Sequence, residues 1–272
     1  GLMANDPDWV PADVDIQQAN TARVYDYLVG GTHNFRSDQD VGRAIMAVDP
    51  NARVFAKANR DFLGRAVRFL VAAGIRQFLD IGSGIPTEGN VHEVAQRASP
   101  DARVAYVDVD PVAIAHSRAI LAGNPRAGVI NGDLRDPAGI LADETTRRLI
   151  DFSQPVGLLL VAVLHFIADD DDPWRLVATL RDAVAPGSYL VLAQGTFEGQ
   201  ADTAQAFEKM YNRSVATKIH MRSRADILRF FDGFELLDPG LVFVPEWRPD
   251  APGDVPADPG RYGNLVGVAR KP

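Results

Sequence analysis

Cysteine is absent from the 272-residue chain, which excludes disulfide bonds and thiolate metal sites. Long apolar runs are also missing. The longest, from Val156 to Leu164, has the length of a buried strand and falls short of the roughly 18 residues that cross a bilayer. The first residues are acidic and broken by proline, without the basic and then apolar pattern of a secretory signal. We therefore expect a cytoplasmic protein that does not enter a membrane.

An excess of positive charge is missing too. The formal net charge is −8 and the sequence pI is about 5.1. A protein that binds duplex nucleic acid normally presents a basic face, which releases counterions from the phosphates. Here the basic residues are scattered, and the densest group is Arg222 and Arg224 near Lys218. A nucleic-acid partner is therefore disfavoured relative to a small molecule.

The chain has an ordinary globular composition, with 46% apolar and 24% charged residues, and two successive patterns. Up to residue 74, a loosely held arm (1–19) precedes three helical segments. From residue 75 onward, apolar strands alternate with helices, which predicts a parallel sheet with right-handed crossovers. The predicted strands are Gln77–Ile81, Arg103–Val107, Gly128–Asn131, Val156–Val163 and Ser188–Ala193, and the helical segments before them are Thr21–Val29, Ser37–Val48 and Ala52–Ala73.

The end of the chain departs from this alternation. Phe234–Val244 and Gly263–Ala269 are consecutive strands without a helix between them, which predicts an antiparallel hairpin at the edge of the sheet. We therefore expect an α/β fold with a mostly parallel, doubly wound sheet. Residues 1–74 would form an N-terminal arm and helical cap, and residues 75–272 the core, within one structural unit.

The strongest motif is an apolar strand that ends in a Gly-x-Gly turn, Phe78–Gly84. Ligands bind at the carboxyl ends of parallel strands, and glycines there let the backbone approach a cofactor closely. A dinucleotide site would continue with a third glycine, but Thr87 stands at that place, after Pro86. Asp80 would repel a pyrophosphate, whereas it suits the ammonium group of a methionine moiety. The loop thus argues against an NAD(P)-dependent oxidoreductase, the first alternative.

Two further acids follow the next two strands. Asp108 stands where a carboxylate can accept hydrogen bonds from both hydroxyls of a ribose, a role that NAD-binding folds share. Asp110-Pro111 instead has the pattern of a helix cap followed by proline. Asp133 can accept the amine of an adenine, with the Leu134 N–H on a ring nitrogen, or it can form an ordinary Asx turn. Its register with Asp80 and Asp108 favours the adenine role.

The fourth strand is followed by His165, at the point that would face the reacting end of a ligand. Its imidazole can act as a general base with an ordinary pKa near 6.5, or it can hold a loop by hydrogen bonds. Both roles stay open. The acidic run Asp169–Asp172 looks like a metal cluster, but four consecutive residues cannot all converge on one ion. Asp172 before Pro173 suits a helix cap, so we interpret the run as a solvated helix start and predict no metal site.

Together these motifs resemble the class I, Rossmann-like methyltransferases that depend on S-adenosylmethionine, over about residues 75–270. A closer resemblance, over about residues 20–271, is to the actinobacterial S-adenosyl methyltransferase family once catalogued as a domain of unknown function. It implies S-adenosylmethionine as cofactor and methyl transfer as reaction, and it leaves the acceptor open. The segments that carry it are TARVYDYLVGGTHNF, ANRDFLGRAVRFL, QFLDIGSGIPTEGNVHEVAQ, VDVDPVAIAHSRAIL, LLLVAVLHFIADDDDP and APGSYLVL.

The resemblance also implies roles for individual residues. The methionine portion would lie among the residues of the Gly-x-Gly turn, the ribose at the end of the second strand and the adenine after the third. In that order, the implied cofactor-binding residues are Asp80, Gly82, Ser83 and Gly84, then Asp108 and Val109, then Asp133 and Leu134.

N-terminal helices commonly cover the cofactor in this class. Asn59-Arg60 could meet the methionine carboxylate, because a guanidinium fork suits it, although a surface arginine on a helix is the alternative. The candidates for the cover are Tyr25, Tyr27, Asn34 and Phe35, with ordinary packing as the alternative for the aromatic rings.

We therefore predict a methyltransferase that acts on an oxygen, nitrogen or carbon nucleophile of a small molecule. The second alternative is a non-catalytic protein that binds S-adenosylmethionine or its demethylated product as a sensor. The regions expected to shape the acceptor pocket are Gly195–Arg222 and Pro245–Tyr262.

Overall fold

The computed structural model describes residues 10–11, 14–86 and 89–272. Part of the predicted arm, and Thr87 in the place of a third glycine, therefore lie outside the described residues. Three helices precede the sheet, and α2 begins one residue earlier than the sequence pattern indicates. Their bounds are Thr21–Leu28 for α1, Arg36–Val48 for α2 and Ala52–Ala72 for α3.

One mixed sheet forms the centre of the described chain, in the order β3-β2-β1-β4-β5-β8-β6, with β7 also paired to β8. Strands β1 to β5 are parallel to one another and agree with the predicted strands to within two residues at either end. The strands are β1 (Gln77–Ile81), β2 (Arg103–Asp108), β3 (Ala127–Asn131), β4 (Gly157–Val161), β5 (Tyr189–Gly195), β6 (Glu235–Leu236), β7 (Val242–Phe243) and β8 (Asn264–Arg270).

The antiparallel edge is confirmed, with one added detail. The last strand, β8, lies between β5 and the two short strands β6 and β7, and it is antiparallel to all three. The predicted strand Phe234–Val244 is thus two short strands on either side of Pro239-Gly240. As a consequence, Asn264 at the start of β8 lies beside the carboxyl end of β5.

Helices cover both faces of the sheet, as expected for a doubly wound fold. Two of them, α6 and α7, escape the sequence pattern because six residues are too few to show a helical period. Their signal is the cap: the side chains of Asp136 and Asp143 accept hydrogen bonds from Gly139 N and Thr145 N. The helices after β1 are α4 (Val91–Ala98), α5 (Pro111–Leu121), α6 (Pro137–Ala142), α7 (Glu144–Leu149), α8 (Pro173–Ala183), α9 (Ala201–Ser214) and α10 (Arg224–Leu228).

The packing explains this arrangement. On one face, α3 and α4 bury Phe62, Leu70 and Ala95 against β1. On the other face, the side chains of α6, α7, α8 and α10 form a second cluster that includes Leu180 and Ile227. Among the residues that the structure describes, no helix combines the length and the apolar character needed to cross a membrane.

A third cluster joins α1, α2, the first turns of α3 and α9 into a cap above the carboxyl ends of the strands. Arg23 on α1 fastens this cap. Its guanidinium lies 3.0 Å from the Asp38 carboxylate on α2 and 3.5 Å from the carboxylate of Asp110, the N-cap of α5. All three side chains are buried. Because α3 contributes to both the cap and the sheet face, the two layers are continuous.

Candidate active site

A cavity of about 380 Å³ lies between the carboxyl ends of the strands and the cap. Most of the residues that the sequence singles out come together there. One end of the cavity is formed by the loops after the strands, and we call it the strand-end half. Its defining residues are Arg60, Asp80, Gly82, Gly84, Asp108 and Asp133. Ser83, Val109, Leu134 and His165 also line the cavity.

The Gly-x-Gly turn needs glycine because of its backbone conformation and because of the space that a side chain would occupy. Gly82 and Gly84 have φ angles of +77° and +72°, which favour glycine. A Cβ on Gly82 would lie 2.5 Å from Cγ2 of Val163. A Cβ on Gly84 would meet no atom within 4 Å, so this residue leaves space over the turn. The turn therefore offers bare backbone to whatever enters the cavity.

Asp108 is fixed by the backbone around it. Its buried carboxylate accepts hydrogen bonds from the N–H groups of Gly84, Val109 and Asp110 at 2.7, 2.8 and 2.9 Å. Burial raises the pKa of Asp108, and these hydrogen bonds oppose the shift. Since a carboxylate has about four lone-pair positions, three backbone donors orient it and leave acceptor capacity for a ligand. Asp110 caps α5 through Ala113 N, which confirms its structural role.

Asp80 and Arg60 face each other in the same half of the cavity. Burial, together with the charge of Asp108, raises the pKa of Asp80 to about 7, and Arg60 partly offsets this. Two atoms on α3, Nε of Arg60 and Oδ1 of Asn59, are buried without a hydrogen-bond partner in the described part of the chain. A free donor beside a buried carboxyl group matches an amino acid moiety, which brings one carboxylate and one ammonium group. These residues therefore fit the methionine end of S-adenosylmethionine.

Asp133 shows the Asx turn that its sequence allows, since its side chain accepts a hydrogen bond from Arg135 N at 2.9 Å. Its carboxylate also pairs with the Arg135 guanidinium at 2.8 Å. Partial burial raises the pKa of Asp133, but the hydrogen bonds and charge of Arg135 outweigh burial and hold the pKa below its ordinary value. Leu134 beside it is buried. A contact between this pair and adenine stays a prediction.

His165 lies in a short 3₁₀ turn after β4, Leu164–Phe166. Burial, with added repulsion from Arg222 and His220, lowers the pKa of His165 to about 3. The expected pKa near 6.5 is therefore wrong, because sequence reveals neither the burial nor these neighbours. The imidazole is neutral at physiological pH, and its Nδ1 has no hydrogen-bond partner among the residues that the structure describes.

Arg222 lies near His165, and the sequence analysis does not predict this position. In the sequence, Arg222 looks like part of a surface basic cluster. The structure buries it beneath the loop that carries His165. Its guanidinium donates to the carbonyls of Leu164, at 2.8 Å, and Ile167. It also pairs with Asp169 at 3.0 Å, so that residue belongs to a structural ion pair. No local signal marks Arg222, because every partner comes from a distant part of the chain. Asp172 caps α8, as predicted.

A model of the S-adenosyl methyltransferase family matches residues 7–272. The chain belongs to this family. It is therefore a methyltransferase that depends on S-adenosylmethionine, and the fold expected from the resemblance is confirmed.

Solved structures that are similar to this chain agree with the family assignment and the fold. A DUF574 family protein from Streptomyces avermitilis MA-4680 is 39% identical, with 95% of this chain and 99% of that one covered and a TM-score of 0.91. A candidate methyltransferase from Thermobifida fusca YX is 42% identical, with 97% and 99% covered and a TM-score of 0.92. The mitomycin 7-O-methyltransferase MmcR, at 16% identity, 97% and 74% coverage and a TM-score of 0.52, shares the fold. A search of curated proteins finds no match.

The cap of the methyltransferase differs in part from the predicted cover. Tyr25 lines the cavity and donates a hydrogen bond from its hydroxyl to the Ala56 carbonyl at 2.7 Å. Asn34 and Phe35 do not belong to the lining: Asn34 bonds to Asp26, and Phe35 packs beside Ile85. The reason is that the connection between α1 and α2 runs along α5, where the rings of His33 and His116 stack at 3.7 Å. Tyr27 also lies outside the lining and packs under Arg53.

The other end of the cavity, which we call the cap half, is apolar and largely aromatic. It draws on both regions expected to shape the acceptor pocket: residues of Gly195–Arg222 line it, and Pro245–Tyr262 contributes its last two residues. The region Gly195–Arg222 includes α9, whereas the sequence does not single out Asn264, because no motif marks it. The defining residues of the cap half are Leu28, Phe166, Phe207, Tyr211, Met221 and Tyr262.

Proposed function

We propose that this methyltransferase acts on a small molecule enclosed in the cavity, with the cofactor in the strand-end half and the acceptor in the cap half. One observation supports this most directly. Of the seven buried side-chain atoms without a partner in the described residues, four belong to residues that line the cavity. Buried polar atoms are normally paired, so their concentration here indicates a ligand that pairs them. The four are Asn59 Oδ1, Arg60 Nε, His165 Nδ1 and Asn264 Oδ1.

The proposed cofactor contacts follow the ends of three neighbouring strands. Arg60 and Asp80 would hold the carboxylate and ammonium groups of the methionine portion, over the bare backbone of Gly82, Ser83 and Gly84. Asp108 and Val109 would contact the ribose, while Asp133 and Leu134 would contact the adenine. The geometry gives no support for contacts by Asn34 and Phe35, and we leave them out of the proposed site.

The bound cofactor supplies an activated methyl group on a sulfonium, so the protein contributes proximity, alignment and exclusion of water. The cap serves the last purpose, since α1, α3 and α9 roof the cavity. The roof also favours a small acceptor over a chain segment of a macromolecule, and the net charge of −8 disfavours a nucleic acid.

Titration of S-adenosylhomocysteine by calorimetry tests the cofactor half. Asp108→Asn keeps the shape of the side chain and removes its charge. A charge-assisted hydrogen bond contributes about 1.5–3 kcal/mol, so we expect affinity to fall about tenfold or more. Asp61→Asn, the same change at an exposed position of α3, should leave affinity unchanged. Equal affinities of Asp108→Asn and wild type would remove Asp108 from the site.

The acceptor class needs a separate experiment. The protein is incubated with an actinobacterial extract and S-adenosylmethionine labelled on its methyl group, and the mixture is passed through a membrane that retains macromolecules. Label in a new compound of the filtrate, absent without protein, is the expected result. Label retained with protein or nucleic acid would overturn the small-molecule proposal.

A further inference from the structure

The cap half carries information about the chemistry of the acceptor. This inference rests on the proposed function and deepens it. Aromatic rings contact one another around the space: Phe166 and Phe207 each lie against Tyr211, at 6.3 and 5.7 Å between ring centroids, and Tyr262 lies 4.7 Å from Phe55. Aromatic walls pair best with a flat, apolar ligand, through stacked or edge-to-face contacts.

Two polar atoms belong to residues that line this largely apolar part of the cavity. Nδ1 of His165 and Oδ1 of Asn264 are buried and have no partner among the described residues. Both lie beside Gly195 at the end of β5. Asn264 is the antiparallel partner of Gly195, and a Cβ on Gly195 would lie 3.5 Å from His165 Nδ1. Directly opposed residues of an antiparallel pair point to the same face, so the amide and the imidazole are on the same side of the sheet.

These two atoms call for a group that donates hydrogen bonds. An amide oxygen accepts only, and a neutral imidazole has one nitrogen that accepts. A hydroxyl or an amino group on the ligand donates to such atoms and is also a nucleophile for a methyl group. A hydrocarbon of the same shape would leave both atoms unpaired.

The charges around the cavity argue for an uncharged ligand. Arg60, Asp80 and Asp108 belong to the strand-end half, where the cofactor would meet them. Near the cap half, Asp49 and Arg261 line the cavity; burial raises the pKa of Asp49, and a backbone hydrogen bond from Asn51 and the charge of Arg261 only partly oppose this. A charged acceptor that lies among the aromatic rings would lose its hydration, which is costly.

We propose that the acceptor is an uncharged aromatic compound whose nucleophile is a hydroxyl or amino group held by His165 Nδ1 and Asn264 Oδ1. During transfer, a lone pair of the acceptor oxygen or nitrogen forms the bond to the methyl carbon. The carbon–sulfur bond breaks and leaves its electron pair on sulfur. The proton of the acceptor is released to solvent.

Binding of simple probes to the protein saturated with S-adenosylhomocysteine tests this proposal without turnover. We expect 2-naphthol or 2-naphthylamine to bind, and which of the two binds tighter distinguishes an oxygen from a nitrogen acceptor. Naphthalene, which lacks the donor, should bind about tenfold more weakly, because both polar atoms stay unpaired. 2-Naphthoate and cyclohexanol, which add a charge or lack the aromatic ring, should bind more weakly than the better of the two donors.

Variants assign the contacts. Asn264→Leu and His165→Phe should each reduce the preference for the donor-bearing probe over naphthalene several-fold. Both should leave the affinity for S-adenosylhomocysteine unchanged. Asp61→Asn, at an exposed position of α3, should change neither. If either variant fails to fold, Phe207→Ala on the cavity side of α9 should weaken both aromatic probes, and Lys209→Ala on the exposed side of the same helix should not.

The outcomes separate the two proposals. If S-adenosylhomocysteine binds but 2-naphthol and 2-naphthylamine do not, the aromatic acceptor is overturned and the cofactor placement stands. Equal binding of naphthalene, or tighter binding of 2-naphthoate, would overturn it as well. If S-adenosylhomocysteine itself does not bind, the proposed function fails first. Methyl transfer from labelled S-adenosylmethionine to the tighter probe would support both.

Discussion

The two halves of the cavity are built in opposite ways. The strand-end half takes its polar residues from loops directly after parallel strands, and it buries charged groups such as Asp80 and Asp108. The cap half is assembled from α1, α9 and the start of β8, which are distant in sequence, and its walls are apolar. A zwitterionic cofactor needs the first environment, whereas an uncharged acceptor is best matched by the second. With this difference, one cavity can bind the proposed cofactor at one end and the proposed acceptor at the other.

The charged neighbours of the buried titratable groups also differ, as a comparison of Asp80 with His165 shows. Burial raises the pKa of Asp80 to about 7 and lowers that of His165 to about 3. In both cases burial favours the uncharged form. Asp80 has Arg60 to oppose this shift, while His165 has cationic neighbours that add to it. An opposite charge thus accompanies the buried carboxyl group of Asp80, whereas the charges near His165 disfavour its protonation.

The largest effect is expected where Arg23 fastens the cap to the N-cap of α5. Arg23→Leu would leave the buried carboxylates of Asp38 and Asp110 without their counter-ion. Breaking a buried pair in this way costs about 3–5 kcal/mol of unfolding free energy. Urea denaturation measures it. Arg43→Leu removes an exposed pair with Asp40 and should cost less than about 1 kcal/mol. A similar small loss for both variants would show that Arg23 does not fasten the cap.

The second effect concerns Asp80 and pH. Its pKa is about 7 in the folded protein and about 3.9 when unfolded. The folded state therefore holds the proton more tightly, and this contribution to stability is present below about pH 4 and lost as pH rises through 7. Asp80→Asn should remove that loss, so that at pH 8 the apo variant is a few kcal/mol more stable than wild type.

Unfolding curves at pH 4 and pH 8 measure this difference, and the exposed change Asp61→Asn is the control. His165, whose folded pKa is the lower one, has the opposite sign: its contribution is lost as pH falls below about 6.5. Comparing Asp80→Asn with wild type isolates Asp80, since His165 is common to both. Parallel curves for the two proteins would contradict a raised pKa. The same variant should bind S-adenosylhomocysteine more weakly, because the methionine ammonium loses its partner.

The smallest effect is a change in motion. Residues of α1 such as Tyr25 and Leu28 line the cavity, and Gly30, with a φ of +86°, follows the helix. We expect hydrogen exchange of residues 20–36 to slow when S-adenosylhomocysteine is added, because a cover that packs on its ligand opens less often. The exchange of β1 should change less. Unchanged exchange throughout 20–36 at saturating ligand would overturn the hypothesis that this segment covers the cofactor.

The sequence was informative about the strand-end half because local rules govern it. A strand that ends in Gly-x-Gly, and an acid after each of the next two strands, place Gly82, Asp108 and Asp133 by topology alone. The parallel sheet and its antiparallel edge follow from the alternation of strands and helices. The short helices α6 and α7 were missed, since only their caps mark them.

The cap half could not be predicted in the same way. Arg222 looks exposed in sequence and is buried, because its partners come from β5 and from the loop after β4. Asn264 reaches the cavity only because β8 inserts beside β5. The pKa of His165 depends on neighbours from distant segments. Phe35 has the pattern of a cover residue but packs against the loop after β1 and α5. Each of these facts is set by tertiary packing.

A crystal structure with S-adenosylhomocysteine and 2-naphthol would test the division of the cavity most directly. The account predicts the ribose at Asp108, the homocysteine carboxylate at Arg60, and the sulfur directed towards His165. The naphthol ring would lie between Phe166 and α9, with its hydroxyl at His165 or Asn264. Adenosine bound in the cap half, or a sulfur atom directed away from it, would contradict the central claim that the two halves bind different ligands.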